Sequence, residues 1–326
     1  MTHSDETDRR TFLQLAGNAA AVAIISLVSS CASEEKTKGN NPIACRDTHL
    51  REVDAPDSWQ AMKKIGISGV EVNVDFDRTC SSLFHPDKKY SILTEQGVTE
   101  LGNDVRKNEV EITAFCLLNR FDERPEEELA WVKDTIEASK KLGVPTIRID
   151  FMPRRMRDRE EYMKFSIEMG KRIVEPLGGT NIRLGIENHG STTNDPEFLD
   201  ALFEGVGSDA LGLTMDTANF YWYGHPLDRL YTIYQKYADR AWHTHCKSIN
   251  YPEEMENAER KMGWEYGKYC CPIYKGDIDF KKVVSILRLV GYAGDYCIEN
   301  ESLGKFPKEQ REEVLRKEAE FLKRLI

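Results

Sequence analysis

The chain lacks four features that would each have named a chemistry. It has no CxxC pair among its 8 cysteines, and those beyond Cys31 are odd in number and scattered along the sequence. That spacing offers neither a zinc ribbon nor a regular disulfide framework, and the adjacent Cys270 and Cys271 read as two loop thiols. There is no excess of basic charge: 45 Lys and Arg against 55 Asp and Glu leave a formal net charge of -10. This disfavours nucleic acid, whose phosphates must be neutralised by lysine and arginine. No glycine fingerprint follows the first strand candidate, so the mark of a dinucleotide-binding open sheet is missing. Nor is the apolar run at residues 16–28 long enough to span a bilayer, which needs about 20 residues. What is present is 40% hydrophobic content in 326 residues, enough for a sizeable core.

The first thirty residues differ in kind from the rest. Arg9 and Arg10 in "DRRTFLQL" precede the apolar run, and this pattern resembles a twin-arginine export signal. "LVSSC" then resembles a lipobox, whose cysteine receives the lipid. The expectation is an export signal over residues 1–30, lipidation at Cys31 and a flexible polar tether over residues 31–42. The protein would then sit in the bacterial cell envelope facing the periplasm, touching the membrane only through its anchor. The twin-arginine route carries folded proteins, which suits a core assembled in a reducing cytoplasm.

From residue 43 onward, short β-rich runs alternate with amphipathic helical stretches. Eight runs read as strands: "IACRDTH" (43–49), "GVEVNV" (69–74), "EITAFCL" (111–117), "TIRIDF" (146–151), "IRLGIEN" (182–188), "LGLTMDT" (211–217), "AWHTHCK" (241–247) and "DYCIENE" (295–301). Helix candidates between them open on helix-start residues such as Asp195-Pro196 and Pro226-Leu227-Asp228. Strict alternation predicts parallel strands with right-handed crossovers, and eight such units suit closure into a (β/α)8 TIM barrel, a single domain over residues 43–326. The competing architecture is an open doubly wound sheet. Residues 248–279, between the seventh strand and its helix, are too long and too aromatic for an ordinary loop and read as a lid.

In a barrel the reactive face is the C-terminal end of the strands. Of the 7 histidines, His49, His189, His225, His243 and His245 fall at or just beyond strand ends, while His3 and His85 do not. Glu187, Asp216, His245 and Glu299 close four consecutive strands. Three carboxylates and an imidazole meeting at one point suit a single divalent ion: Mn, Mg, Co or Zn. His243 and His245 stand two apart and share the interior face, so His245, nearer the open end, is the better ligand and His243 an orienting residue beneath it. Around them His189, Asn219, Lys247, Trp222 and His225 are candidate substrate contacts, and the lid aromatics Trp264 and Tyr266 candidate stacking partners. Arg148 and Asp150 end strand four, and Asn188 neighbours the metal glutamate. Glu71 is left open between accepting a sugar hydroxyl and pairing with Arg46.

The stretches "GISGVEV", "GIENHG", "LTMDTAN", "HTHCKS", "GDIDF" and "GYAGDYCIENE" occur in this order along nearly the whole mature chain. Together they resemble the xylose isomerase-like TIM barrel superfamily, within it the sugar phosphate isomerase/epimerase group. The resemblance implies that Glu187, Asp216, His245 and Glu299 bind one divalent ion. It also implies that Glu187 and Glu299 form the acid/base pair for proton abstraction next to a carbonyl, through a metal-stabilised enediolate. Asn219 stands where many members carry a histidine. Members that cleave abasic DNA use further histidines at the ends of strands two and three, and "EVNVDF" and "AFCLLNRF" carry none.

Three functions follow. The first is a metal-dependent isomerase or epimerase of a sugar, keto-sugar or cyclitol. The second is a lyase that uses the same carbanion to expel a neighbouring oxygen from a keto-glycoside. The third is a noncatalytic sugar-binding lipoprotein. Each implies a small carbohydrate partner and no nucleic acid, with the choice between monomer and homo-oligomer left open.

Overall fold

The computed structural model describes residues 41–326. The expected export signal, Cys31 and all but the last two residues of the expected tether lie outside the described residues. Eight strands carry the architecture: β1 (Ile43–Arg46), β2 (Gly69–Asn73), β3 (Glu111–Cys116), β4 (Thr146–Ile149), β5 (Arg183–Glu187), β6 (Leu211–Asp216), β7 (Ala241–Cys246) and β8 (Tyr296–Ile298). They close into a barrel in the order β1-β8-β7-β6-β5-β4-β3-β2, with parallel pairings throughout. Closure is made by β1, where Ala44 lies opposite Gly69 on one side and Ile43 opposite Tyr296 on the other. An open sheet would leave one of those edges unpaired, so the doubly wound alternative is removed.

The strands are near-continuous apolar runs because parallel strands in a barrel are buried on both faces. Val70, Val72, Ile147, Ile149, Leu184, Ile186, Leu213 and Met215 are fully buried. Between the strands, helices begin and end where their caps dictate. Asp158 and Asp195 cap Arg159–Val174 and Pro196–Val206 by accepting from the Glu161 and Glu197 amides at 2.8 and 2.9 Å. Pro125–Leu142 stops at Gly143, whose φ of 74° is left-handed. Among the described residues no helix is long and apolar enough to cross a membrane.

Each strand stops short of the sequence run that announced it. The clearest case is the first: residues 43–49 do not continue as strand beyond Arg46. Asp47 instead begins a helical turn, Asp47–Leu50, and its Oδ2 accepts from the Asn73 amide at 2.9 Å. His49 therefore lies on that turn, its Nε2 accepting from the Asn300 amide at 3.1 Å.

Residues 248–279 fold against the C-terminal end of the barrel with secondary structure of their own. Ser248–Ile249 pairs antiparallel with Cys270–Cys271, so these two cysteines form a short strand, not a loop, and both are free thiols. Arg260 fastens the segment: its Nη2 donates to the carbonyls of Tyr221 (3.1 Å) and His225 (2.9 Å), and its guanidinium lies 4.5 Å from the ring centroids of Tyr221 and Tyr251.

Close approach of β5, β6 and β7 depends on glycine. A Cβ on Gly185 would lie 2.5 Å from Thr214 Oγ1, and one on Gly212 would lie 2.0 Å from Trp242 Nε1 and 2.2 Å from the Arg240 carbonyl oxygen. Backbone cannot swing aside as a side chain does, so Gly212→Ala is expected to cost about 3 kcal/mol of stability. Denaturant titration measures it; a change within about 0.5 kcal/mol would show that the strands do not need this contact.

Candidate metal centre

The last residues of β5 and β6, Glu187 and Asp216, stand beside His245 of β7 and Glu299, which directly follows β8. Asp216 and His245 are register partners, and the Glu299 amide extends the ladder by donating to the Cys246 carbonyl at 3.2 Å. Four adjacent strands thus form an arc, with one ligand-type atom from each residue and all four atoms within 4.8 Å of one another. His245 Nδ1 lies 3.5 Å from Glu187 Oε1 and 3.3 Å from Glu299 Oε2. All four side chains are buried.

Each carboxylate meets a cation, and Glu299 meets two. Arg148 Nη2 pairs with Glu187 Oε2, while Nη1 of the same guanidinium donates to the Leu117 carbonyl at 2.8 Å. Arg46 Nη1 meets Glu299 Oε1 at 2.5 Å, and its Nε meets Glu71 Oε1 at 2.9 Å. Lys247 Nζ lies 2.8 Å from Asp216 Oδ2, 2.9 Å from Glu299 Oε2 and 3.3 Å from Glu301 Oε1. Burial by itself pushes the Asp216 and Glu299 carboxyls up. For Glu299 the charges of Lys247, His245 and Arg46 overturn that and hold it well below the usual range. For Asp216 burial wins, reinforced by the neighbouring Glu299, and lifts it to about 6 despite Lys247. Burial alone would lower His245, but Glu71 and Glu299 outweigh it and raise it to about 10.

Three atoms in this arc remain buried without a well-formed hydrogen bond: Asp216 Oδ2, His245 Nδ1 and Glu299 Oε2. They belong to three of the four predicted ligands. Lys247 approaches two of them without completing an acceptable geometry. The chamber holds five carboxylates (Glu71, Asp150, Glu187, Asp216 and Glu299), against the three cations Arg46, Arg148 and Lys247. Carboxylates outnumber the fixed cations, uncompensated buried negative charge is costly, and a bound cation would offset it. The donor set, its unsatisfied atoms and its charge therefore fit one divalent cation bound by Glu187, Asp216, His245 and Glu299.

The other predicted contacts separate into groups. His189 stays at the mouth with its ring partly exposed, Nδ1 lying 3.3 Å from Asp150 Oδ2. Asn219 donates from Nδ2 to Glu187 Oε1 at 2.9 Å, so it steadies a ligand. Glu71, which the sequence left between two roles, lies beneath the arc against Arg46, His243 and His245. His225 is buried, with Nε2 3.1 Å from the Asn194 carbonyl and its ring beside Tyr223, which places it in packing below the lid. Trp222 packs its indole against Gly263 of the lid. Asn188, read as a neighbour of the substrate, is fully buried and clamps the Asp216 backbone: its Oδ1 accepts from the Asp216 amide at 2.8 Å and its Nδ2 donates to the Asp216 carbonyl at 3.0 Å. Tyr266 of the lid bonds through its hydroxyl to Glu301 Oε2.

The counter-ions Arg46 and Arg148 had no assigned role in the sequence reading as partners of the two metal glutamates. Their signal was an arginine inside or ending a strand that is otherwise apolar, since a guanidinium is buried only where it is paired.

Compared by sequence with curated proteins, the chain matches none. Its fold matches solved structures closely in extent though not in sequence. An IolI protein with a bound zinc atom is 16% identical, with TM-score 0.62 over 85% of this chain and 96% of that one. A D-tagatose 3-epimerase-like protein is 19% identical, with TM-score 0.58 over 87% and 98%. A xylose isomerase-like TIM barrel protein from Mycobacterium smegmatis in complex with magnesium is 15% identical, with TM-score 0.58 over 86% and 98%. The family profile described as xylose isomerase-like TIM barrel matches residues 59–325, and the chain therefore belongs to the xylose isomerase-like TIM barrel family.

Proposed function

We propose that this protein is a divalent-metal-dependent isomerase or epimerase of a sugar, keto-sugar or cyclitol. The carrying observation is the pair Glu187 and Glu299 at the two ends of the four-strand arc, each gripped by its own arginine and each near the unsatisfied His245 Nδ1. Two solved structures of similar fold carry zinc and magnesium, which supports the use of a metal here. When bound, the ion supplies positive charge at the carbonyl and neighbouring hydroxyl oxygens and makes the adjacent C–H more acidic.

The chain's own residues do the rest. Glu187 takes the proton: Arg148 holds its Oε2 and Asn219 its Oε1, which fixes the plane of the carboxylate. Glu299, fixed by Arg46 at Oε1, relays a proton from solvent to the substrate carbon at the other end of the arc, and Glu187 then gives the proton it took to solvent. The lid residue Tyr266 bonds to Glu301, which also meets Lys247, and so ties the lid to the edge of the site.

A second reading, elimination from a keto-glycoside, is favoured by Lys247. Its ammonium lies between Asp216, Glu299 and Glu301, where it would protonate a departing oxygen. A noncatalytic sugar binder would have little need of this charge set. For location, we propose that residues 1–30 export the chain and that Cys31 carries a lipid, with residues 43–326 forming the single catalytic domain.

Incubation with candidate keto-sugars in deuterated water should place deuterium at the carbon next to the carbonyl. Glu187→Gln and Glu299→Gln should each slow that exchange by about 10²–10⁴-fold. Full exchange in both variants would remove the acid/base assignment. Product analysis divides the two enzyme readings: an isomeric sugar supports the first, and a released aglycone, lost in Lys247→Met, supports the second. Removal of the ion by a chelator should abolish turnover, and return of Mn²⁺ at about a hundredfold above its Kd should restore it with about 2.7 kcal/mol of added stability. Turnover that survives complete metal removal would contradict the metal requirement. Cys31→Ala should move the protein from the membrane fraction to the soluble periplasm; an unchanged distribution would contradict lipidation.

A further inference from the structure

Beneath the arc, three buried polar side chains form a continuous line through the barrel interior. Asp295, just before β8, places Oδ1 2.6 Å from His243 Nδ1. His243 Nε2 lies 2.5 Å from Glu71 Oε2, and the same oxygen lies 2.5 Å from His245 Nε2. The other oxygen of Glu71 faces Arg46 Nε at 2.9 Å. None of Asp295, His243, Glu71 and His245 is more than 2% exposed. Asp295 also lines a cavity of about 360 Å³ at the opposite, N-terminal end of the barrel, among Glu111, Arg183 and Trp242.

Apolar side chains would fill this volume at lower cost, since each buried polar group must recover its lost hydration. The donor and acceptor pattern gives the line a purpose. An ionised carboxylate only accepts, so Glu71 Oε2 requires an N–H from both imidazoles. His245 must then carry hydrogen on Nε2, which leaves Nδ1 as the ring atom facing the arc, where it makes no well-formed hydrogen bond and would ligate an ion that displaces its proton. Glu71 in turn is bonded through Oε2 to His243 and faces the Arg46 charge with Oε1, and His243 is held by Asp295.

We propose that Asp295, His243 and Glu71 are positioning residues that fix the tautomer and ring orientation of His245 for the ion, a proposal that rests on the metal-centre reading above. Outer partners of a ligating histidine set its basicity and direction, and their loss weakens metal binding by about 10–100-fold. The line carries this effect from the floor of the barrel to its mouth, so a residue remote from the substrate controls the affinity of the ion.

The test is Mn²⁺ titration calorimetry on the wild-type protein, Glu71→Gln and Asp295→Asn, with circular dichroism to verify folding. It is paired with ¹⁵N-histidine NMR of the wild-type protein loaded with diamagnetic Zn²⁺. We expect roughly 10–100-fold weaker Mn²⁺ binding in Glu71→Gln and a loss in the same direction in Asp295→Asn. The NMR spectrum should show His245 protonated on Nε2 and ligating through Nδ1. Unchanged affinity in folded variants, or ligation through Nε2, would overturn the positioning role while leaving the metal centre standing. Absence of any Mn²⁺ or Zn²⁺ binding by the wild-type protein would overturn both. The NMR arm needs no variant, so a substitution that fails to fold does not stop the test.

Discussion

Carboxylates crowded into a buried space repel one another, and the mouth of this barrel is organised around the compensation of that repulsion. Glu187, Asp216 and Glu299 meet at His245, with Glu71 on the other side of that ring, all buried from water, where a unit charge left unpaired costs several kcal/mol. Arg46, Arg148 and Lys247 supply part of the balance from three different strand ends. Among the atoms they leave without a hydrogen bond are Asp216 Oδ2, His245 Nδ1 and Glu299 Oε2, one on each of three of the four ligand-type residues. The fold keeps this arrangement together because each participant sits on, or directly after, a strand whose register its neighbours fix.

Layers beneath the mouth serve the same end. Glycines at 185 and 212 let β5, β6 and β7 approach closely enough for their terminal side chains to share one centre. Asn188 pins the end of β6 from the neighbouring strand end, and Thr217 ties the Lys247 backbone by accepting from its amide at 3.0 Å. The lid is attached separately, through Arg260 and through Tyr266 with Glu301. Precision at the arc is therefore supplied by the rigid barrel, and access by a segment that packs on top of it.

Much of this was legible in the sequence because strand and ligand signals are local. Period and alternation located all eight strands, and a reactive residue at the end of each of four consecutive strands placed the arc. Strand ends were harder, since Asp47 leaves the ladder for a contact with Asn73 that only the folded chain brings near. The counter-ions escaped assignment for a related reason: alternation tells which way Arg148 faces, yet its partner Glu187 is 39 residues away in sequence. His225 and Trp222 read as candidate substrate contacts because they follow a strand end. The long lid folds back over them, and no local pattern announces where a loop of that length will land.

The account stands or falls on a single ion at the arc. A crystal of the protein grown with Mn²⁺ and measured at the manganese absorption edge tests this directly. One anomalous peak per chain, within bonding distance of Glu187, Asp216, His245 and Glu299, is the predicted result. A map with no peak among those four side chains, or with the ion held elsewhere in the barrel, would contradict it.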